Sequence, residues 1–194
     1  MLVLMSAGFA MCSLRPVVLR CENLVNPVGI DSASPRLSWK LESTGKGLTD
    51  LKQMSYEIVV ATDKTKLSNE KADVWHSGVI RSNSTSGIQI PAKGKLGVAT
   101  RGTASDASNG MNPFARYYWS VRVSDQDGKT SEWSAPTEFA TGPMKPEDWN
   151  ADWIGFDKLR ENTKKVGDHI LPPPAFLRQH FLVTKGIKRA VLHC

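Results

Sequence analysis

The sequence predicts an all-β chain, a two-layer β-sandwich followed by an incomplete second unit. Three observations carry this. In several segments apolar residues recur at every second position, the period of a strand with one buried and one wet face. Clusters of Gly, Pro, Asn and Asp separate these segments, as turns require. Amphipathic helical periodicity is scarce. The length of 194 residues fits one domain and part of another, and it is too short for the large barrels of about 250 residues.

The elements follow in chain order. Met1–Ser13 is apolar and uncharged. It reads as the h-region of a secretory signal that lacks its n-region, a truncated signal peptide with Gly8 and Ala10 as the small residues of a cleavage site. An extracytoplasmic location follows from that reading; the other reading is a buried amino-terminal strand. Val17, Leu19 and Cys21 then form the apolar set of a first strand. Leu37, Trp39 and Leu41 do the same in Arg36–Leu41, and Tyr56, Ile58 and Val60 in Ser55–Ala61. A short helix is expected over Lys64–Val74, with Thr62 and Asp63 as caps. Shorter strands fit Val74–Ser77, Gly87–Ile90 and Thr137–Ala140.

Arg116–Asp125 is the clearest strand. Tyr117, Trp119, Val121 and Val123 face one way, and Tyr118, Ser120, Arg122 and Ser124 the other. Asp125-Gln-Asp-Gly128 behind it is a hairpin signal. As a calcium loop it fails, because the twelfth position, which needs a bidentate Glu, is Pro136. Between the Gly87 and Arg116 strands, Gly97–Asn112 is rich in Gly, Ser and Ala and reads as an insertion in a loop. Gly142-Pro-Met-Lys-Pro146 closes the first unit. The expected organisation is a leader over 1–13, a sandwich over 14–143, and a linker with the first strands of a second β-domain over 144–194. Those strands are expected at Leu177–Val183 and Ala190–Leu192, with Leu177, Phe181, Val191 and Leu192 under-buried.

Composition excludes several functions. Lys and Arg number 25 against 19 Asp and Glu, a net charge of +6 without the clustered stripe that nucleic acid demands. No run of 18 apolar residues crosses a membrane as a helix. Cys12, Cys21 and Cys194 form no C-x-x-C motif. Cys21 reads as a small apolar strand residue, although a Cys21–Cys194 bridge is open. His76, His169, His180 and His193 show no i,i+4 pair, and the pair His180 and His193 makes an incomplete metal site. Neither a G-x-S-x-G elbow nor a phosphate-binding loop is present. No cofactor and no metal are expected.

The tryptophans carry what remains. Trp39 and Trp119 belong to the core. Trp75, Trp149 and Trp153 are candidate platforms for stacking on sugar faces; Trp149 and Trp153 also suit a clamp between the two units. Trp133, in Ser131-Glu-Trp-Ser134, follows a strand with Arg122 on its outward face, which suits a cation–π contact.

Several segments occur in one order: Asn26-Pro-Val-Gly-Ile-Asp31, Pro35-Arg-Leu-Ser-Trp39, Ser55-Tyr-Glu-Ile-Val-Val-Ala61 and Asp73-Val-Trp-His-Ser-Gly78. Arg116-Tyr-Tyr-Trp-Ser-Val-Arg-Val123, Asp127-Gly128, Ser131-Glu-Trp-Ser134, Asp148-Trp-Asn-Ala-Asp-Trp-Ile-Gly155 and Leu177-Arg-Gln-His-Phe181 follow. Together they resemble the amino-terminal part of bacterial α-L-rhamnosidases with an (α/α)6 catalytic barrel. The resemblance implies a fibronectin type III or immunoglobulin-like first unit, a second β-sandwich of carbohydrate-binding character in which the chain stops, and a catalytic barrel beyond it. It also implies inverting hydrolysis by two carboxylates in that barrel. No position here matches those carboxylates, so no catalytic residue is assigned; Asp125, Asp127, Glu132, Asp148, Asp152 and Asp157 read as turn and cap residues. The 97–112 insertion departs from the family pattern. The expected function is a non-catalytic fragment of a glycoside hydrolase whose partner is the catalytic barrel. A carbohydrate-binding module for rhamnose-containing glycans and a protein-interaction module at the cell surface are the alternatives.

Overall fold

In the computed structural model, the described residues are 12–45, 49–92, 111–152, 164–166, 169–171, 178, 180, 182–187 and 190–192. The chain divides into two compact units, Met1–Asp148 and Trp149–Cys194.

Among its described residues the first unit holds eight strands: β1 (Leu14–Cys21), β2 (Val28–Ile30), β3 (Arg36–Ser43), β4 (Gln53–Ala61), β5 (Trp75–His76), β6 (Ile88–Gln89), β7 (Arg116–Asp125) and β8 (Thr137–Thr141). They form an immunoglobulin-like sandwich of two open sheets, one ordered β1-β3-β6 and the other β2-β8-β7-β4-β5. The seven strands expected in this unit are all present. β2 is the addition. It runs parallel to β8, pairing Val28 with Ala140. Asn26 fixes its approach: at φ +47 its side chain accepts from the Thr137 hydroxyl at 2.6 Å and the Glu138 amide at 3.3 Å. The two chains then come so close that a Cβ on Gly142 would lie 3.2 Å from the Gly29 backbone, with Gly29 itself at φ +85.

Between the sheets lies the core that the period-two pattern predicts. Trp39 meets Tyr56 edge-on at 5.2 Å, and Tyr117 stacks on Phe139 at 5.4 Å. Leu37, Ile58, Val60, Trp119, Val121 and Val123 are fully buried. Gln53 is a buried polar residue with every group used. Its carbonyl accepts from Trp39 Nε1 at 3.0 Å, and its amide donates to Ser82 and Ser84 carbonyls at 3.1 and 3.0 Å. It thereby pins the segment that crosses from the five-stranded sheet, where Ile80 bridges Tyr56, to the three-stranded one, where Thr85 accepts from the Trp39 amide.

Local departures have local causes. A single 3-10 turn, Lys64–Lys66, replaces the helix expected over Lys64–Val74. Asp63 caps it, accepting from the Thr65 amide at 2.8 Å. The segment has no apolar stripe to hold a longer helix against a core, and so short a helix is marginal by itself. β1 carries a bulge between Val17 and Arg20, where Val18 takes φ +50 and is exposed. Behind β7, Asp125 folds a three-residue turn with only Gly128 left-handed, at φ +75. Buried Asp125 accepts from the amides of Asp127 and Lys129, both at 3.0 Å, and from Ser13 at 2.9 Å. Cys12 is buried as well, and its carbonyl accepts from the Thr44 hydroxyl at 2.9 Å. The described sandwich therefore takes in Cys12 and Ser13, two residues that the sequence reading gave to the leader. Asp148 caps the turn at the end of the unit, accepting from the Met144 and Lys145 amides.

In the second unit, β9 (Lys164–Val166) and β10 (His169–Leu171) pair antiparallel. The sequence reading places strands later, at 177–183 and 190–192. The described residues there, 178, 180, 182, 183 and 190–192, are in no strand. Alternation alone does not make a strand; a paired ladder is also needed. Val191 and Leu192 are exposed, as expected of them. The leader residues 1–11, residues 97–110 of the insertion, Trp153, Asp157, Leu177, Phe181, His193 and Cys194 lie outside the described residues.

Candidate functional site

The outer face of the five-stranded sheet holds the densest arrangement of chemical groups. Period two dictates who is there. β7 presents Tyr118, Ser120, Arg122 and Ser124, and its register with β4 sets Arg122 opposite Glu57, with Ser120 opposite Val59. β5 pairs His76 with Val59, which puts the imidazole beside Glu57.

Glu57 is the centre. It is only 5% exposed. One oxygen, Oε2, accepts from Arg122 Nε and Nη2, both at 2.6 Å. The other, Oε1, accepts from His76 Nε2 at 2.7 Å and Asn69 Nδ2 at 2.9 Å. An ionised carboxylate only accepts, so His76 carries its proton on Nε2. Burial alone would push the Glu57 carboxyl up. The hydrogen bonds from His76 and Arg122, with the guanidinium charge, outweigh it and hold the group below the usual carboxylate range.

Arg122 is held from its other side by Trp133, with its Cζ 4.7 Å from the ring centroid. Two serines place that ring. Ser131 donates its amide to the Val123 carbonyl at 2.8 Å and accepts the Val123 amide on its hydroxyl at 3.1 Å. Ser134 repeats this two residues along, at 2.9 Å to the Val121 carbonyl and 3.1 Å from the Val121 amide. The motif Ser-Glu-Trp-Ser is thus a double clip onto one edge of β7, with the indole between its ends.

Other groups are also committed within the protein. Asp125 spends its carboxylate on three amides, which hold it below the ordinary range although burial opposes them. Burial pushes the Cys21 thiol up to about 12, so it is inert at neutral pH. Cys12 and Cys21 are both free. Among the described residues, no three His, Cys, Asp or Glu side chains gather as metal ligands.

Of the candidate sugar platforms, Trp75 belongs to the first unit and Trp149 to the second. Trp75 is partly buried and packs against the core. Trp149, in the second unit, is 46% exposed. Sequence reasoning missed Glu57, His76 and Asn69. Glu57 sits in a strand whose other face carries the alternation, and its partners lie 12, 19 and 65 residues away.

Comparison with known proteins bears on this arrangement. The family model for the Rha78A-like, N-terminal immunoglobulin domain matches residues 16–105 and 103–145. The α-L-rhamnosidase of Streptomyces avermitilis is 37% identical over 144 residues, which is 74% of this chain and 12% of that protein. The α-L-rhamnosidase of Alteromonas sp. (strain LOR) is 32% identical over 181 residues, 92% of this chain and 17% of the relative. The crystal structure of the Streptomyces avermitilis enzyme complexed with L-rhamnose superposes with a TM-score of 0.59 at 34% identity, covering 73% of this chain and 12% of that one. The enzyme of Dictyoglumus thermophilum gives a TM-score of 0.59 at 30% identity, covering 72% of this chain and 14% of that one. The chain thus spans only 12 to 17% of the length of these curated relatives.

Proposed function

The chain belongs to the family of Rha78A-like, N-terminal immunoglobulin domains, and from that premise we propose that it serves as a non-catalytic structural module of an α-L-rhamnosidase. Its partner in this reading is the catalytic barrel of the full-length enzyme. One observation carries the reading. The strongest constellation of acid, base and cation in the sandwich, Glu57 with His76 and Arg122, is spent on holding strands and a loop together. Each Glu57 oxygen already has two donors, so the carboxylate is engaged within the sandwich. The experiment is hydrolysis of an aryl α-L-rhamnoside by the purified chain. No turnover above buffer is expected, and clear turnover overturns the reading.

A second reading has one specific observation in its favour: Trp149 exposes an indole at which a sugar face could stack. Tryptophan fluorescence during titration with rhamnose-containing oligosaccharides separates the two. A saturable change lost in Trp149→Ala supports binding, and a flat signal to millimolar sugar removes it. We further propose an extracytoplasmic location, on the strength of the apolar, uncharged Met1–Ser13. Recovery of the protein in the cytoplasmic fraction of its host contradicts that.

A further inference from the structure

Glu57 lies four residues before the end of β4, about 13 Å along a strand at 3.3 Å per residue. Asn69 belongs to the loop after β4, so that loop folds back over the outer face to reach it. Within the loop the contacts are local. Asp73 takes the Thr62 amide at 2.9 Å, its hydroxyl at 2.7 Å and Lys66 Nζ at 2.6 Å, which ties the two ends of the loop to each other. Asp63 binds Thr65. Contacts with the outer face include Asn69 on Glu57 and Lys64 over the Tyr118 ring at 5.3 Å.

The four N–H groups converging on Glu57 all need an acceptor. A protonated carboxyl brings an O–H of its own, so one of the four donors loses its acceptor. The donors are not equally free to go. Arg122 is fixed on β7 beneath Trp133, and His76 is fixed by the pairing of β5 with β4. Asn69 is neutral, exposed, and carried by the loop alone. The charged and titratable groups bonded to Glu57 are His76 from β5 and Arg122 from β7; of the loop's own charges, Lys66 and Asp73 pair with each other, Asp63 caps Thr65 and Lys64 lies over Tyr118, while Glu70 and Lys71 complete the set.

We propose that Glu57 is an acid-operated latch: its protonation expels Asn69 and frees residues 62–73 from the outer face while the β4–β7 ladder stays closed. The proposal is independent of the rhamnosidase reading, because it concerns only contacts within the sandwich. The device opens a loop next to Val59 and Tyr118 without unfolding the module.

Amide exchange of the whole chain, followed from pH 7 to pH 3 and corrected for intrinsic rates, tests it. The Lys66, Lys71 and Ala72 amides, which bond within the loop, should lose protection at a higher pH than the amides of β4 and β7. Asn69→Ala should reproduce the open loop at pH 7, with exchange in 62–73 faster by roughly 10- to 100-fold, the size of one hydrogen bond to a charged group. Glu57→Gln should show the same open loop with no further change between pH 6 and 3.5. Loss of protection in loop and ladder at one common pH overturns the proposal. So does an Asn69→Ala loop whose protection stays within about twofold of the wild type, and this variant decides the matter even if Glu57→Gln fails to fold.

Discussion

Strand β4 is buried on both faces, and the two faces are closed by different chemistry. Toward the sandwich interior, Tyr56, Ile58 and Val60 meet Trp39, Trp119, Val121 and Val123. Toward the outside, Glu57 and Val59 are equally dry, yet the groups around Glu57 are a guanidinium, an imidazole and an amide. The inner face is held by area removed from water, which is non-directional and tolerant of reshuffling. The outer face is held by four aimed hydrogen bonds that are expensive to leave half made. Dryness alone does not identify a core.

Substitutions can widen or erase this difference. The largest effect is expected inside: Trp119→Ala should cost about 3–5 kcal/mol, measured by chemical denaturation, because a large cavity cannot fully collapse. Trp119→Phe should cost much less, since Trp119 Nε1 has no partner among the described residues and its removal relieves a buried orphan. On the outer face, Glu57→Gln should cost about 2–3 kcal/mol, since one of the two accepting oxygens becomes an NH2 and the donors it served, on Arg122 or on His76, are left buried without an acceptor. If it proves neutral, the outer face is ordinary surface and the contrast falls.

Acid should act on the same group by degrees. The folded-state values of Glu57 and Asp125 are lowered, so each contributes stability in full above the unfolded carboxylate value of about 4 and loses it as pH falls through the folded value. The midpoint in denaturant should therefore be level from pH 7 to about 5 and drop below, and the drop should shrink in Glu57→Gln. A drop of equal size in that variant would assign the acid sensitivity elsewhere. The smallest effect is expected from Trp133→Ala. Losing its stack on Arg122 should cost about 0.5–1 kcal/mol, as a small shift in the same denaturation curve. A cost comparable to that of Glu57→Gln would mean the indole closes the outer face as a core residue does.

The two faces also differ in how far they can be read from sequence. Tyr117, Trp119, Val121 and Val123 announce themselves by alternation, which needs no knowledge of a partner strand. The same alternation puts Arg122 on the outer face, and Ser131-Glu-Trp-Ser134 follows at hairpin distance. Glu57 has no such signal. By period two it belongs with wet residues, and its burial depends on His76 and Arg122 arriving from distant parts of the chain. β2 was silent for a related reason: three residues with Gly29 at their centre show no period, and their partner β8 is more than a hundred residues on. The expected helix over Lys64–Val74 failed from the opposite cause. Its capping residue works, but no apolar stripe follows the cap.

The close approach of Gly29 and Gly142 has a genetic corollary. Any replacement of Gly142 adds at least a β-carbon, and that carbon meets the main chain of Gly29, which cannot swing aside as a flexible side chain can. In a library of all single-codon variants, position 142 should therefore accept fewer residues than its neighbours. Neighbouring exposed positions such as Val28 would accept many residues.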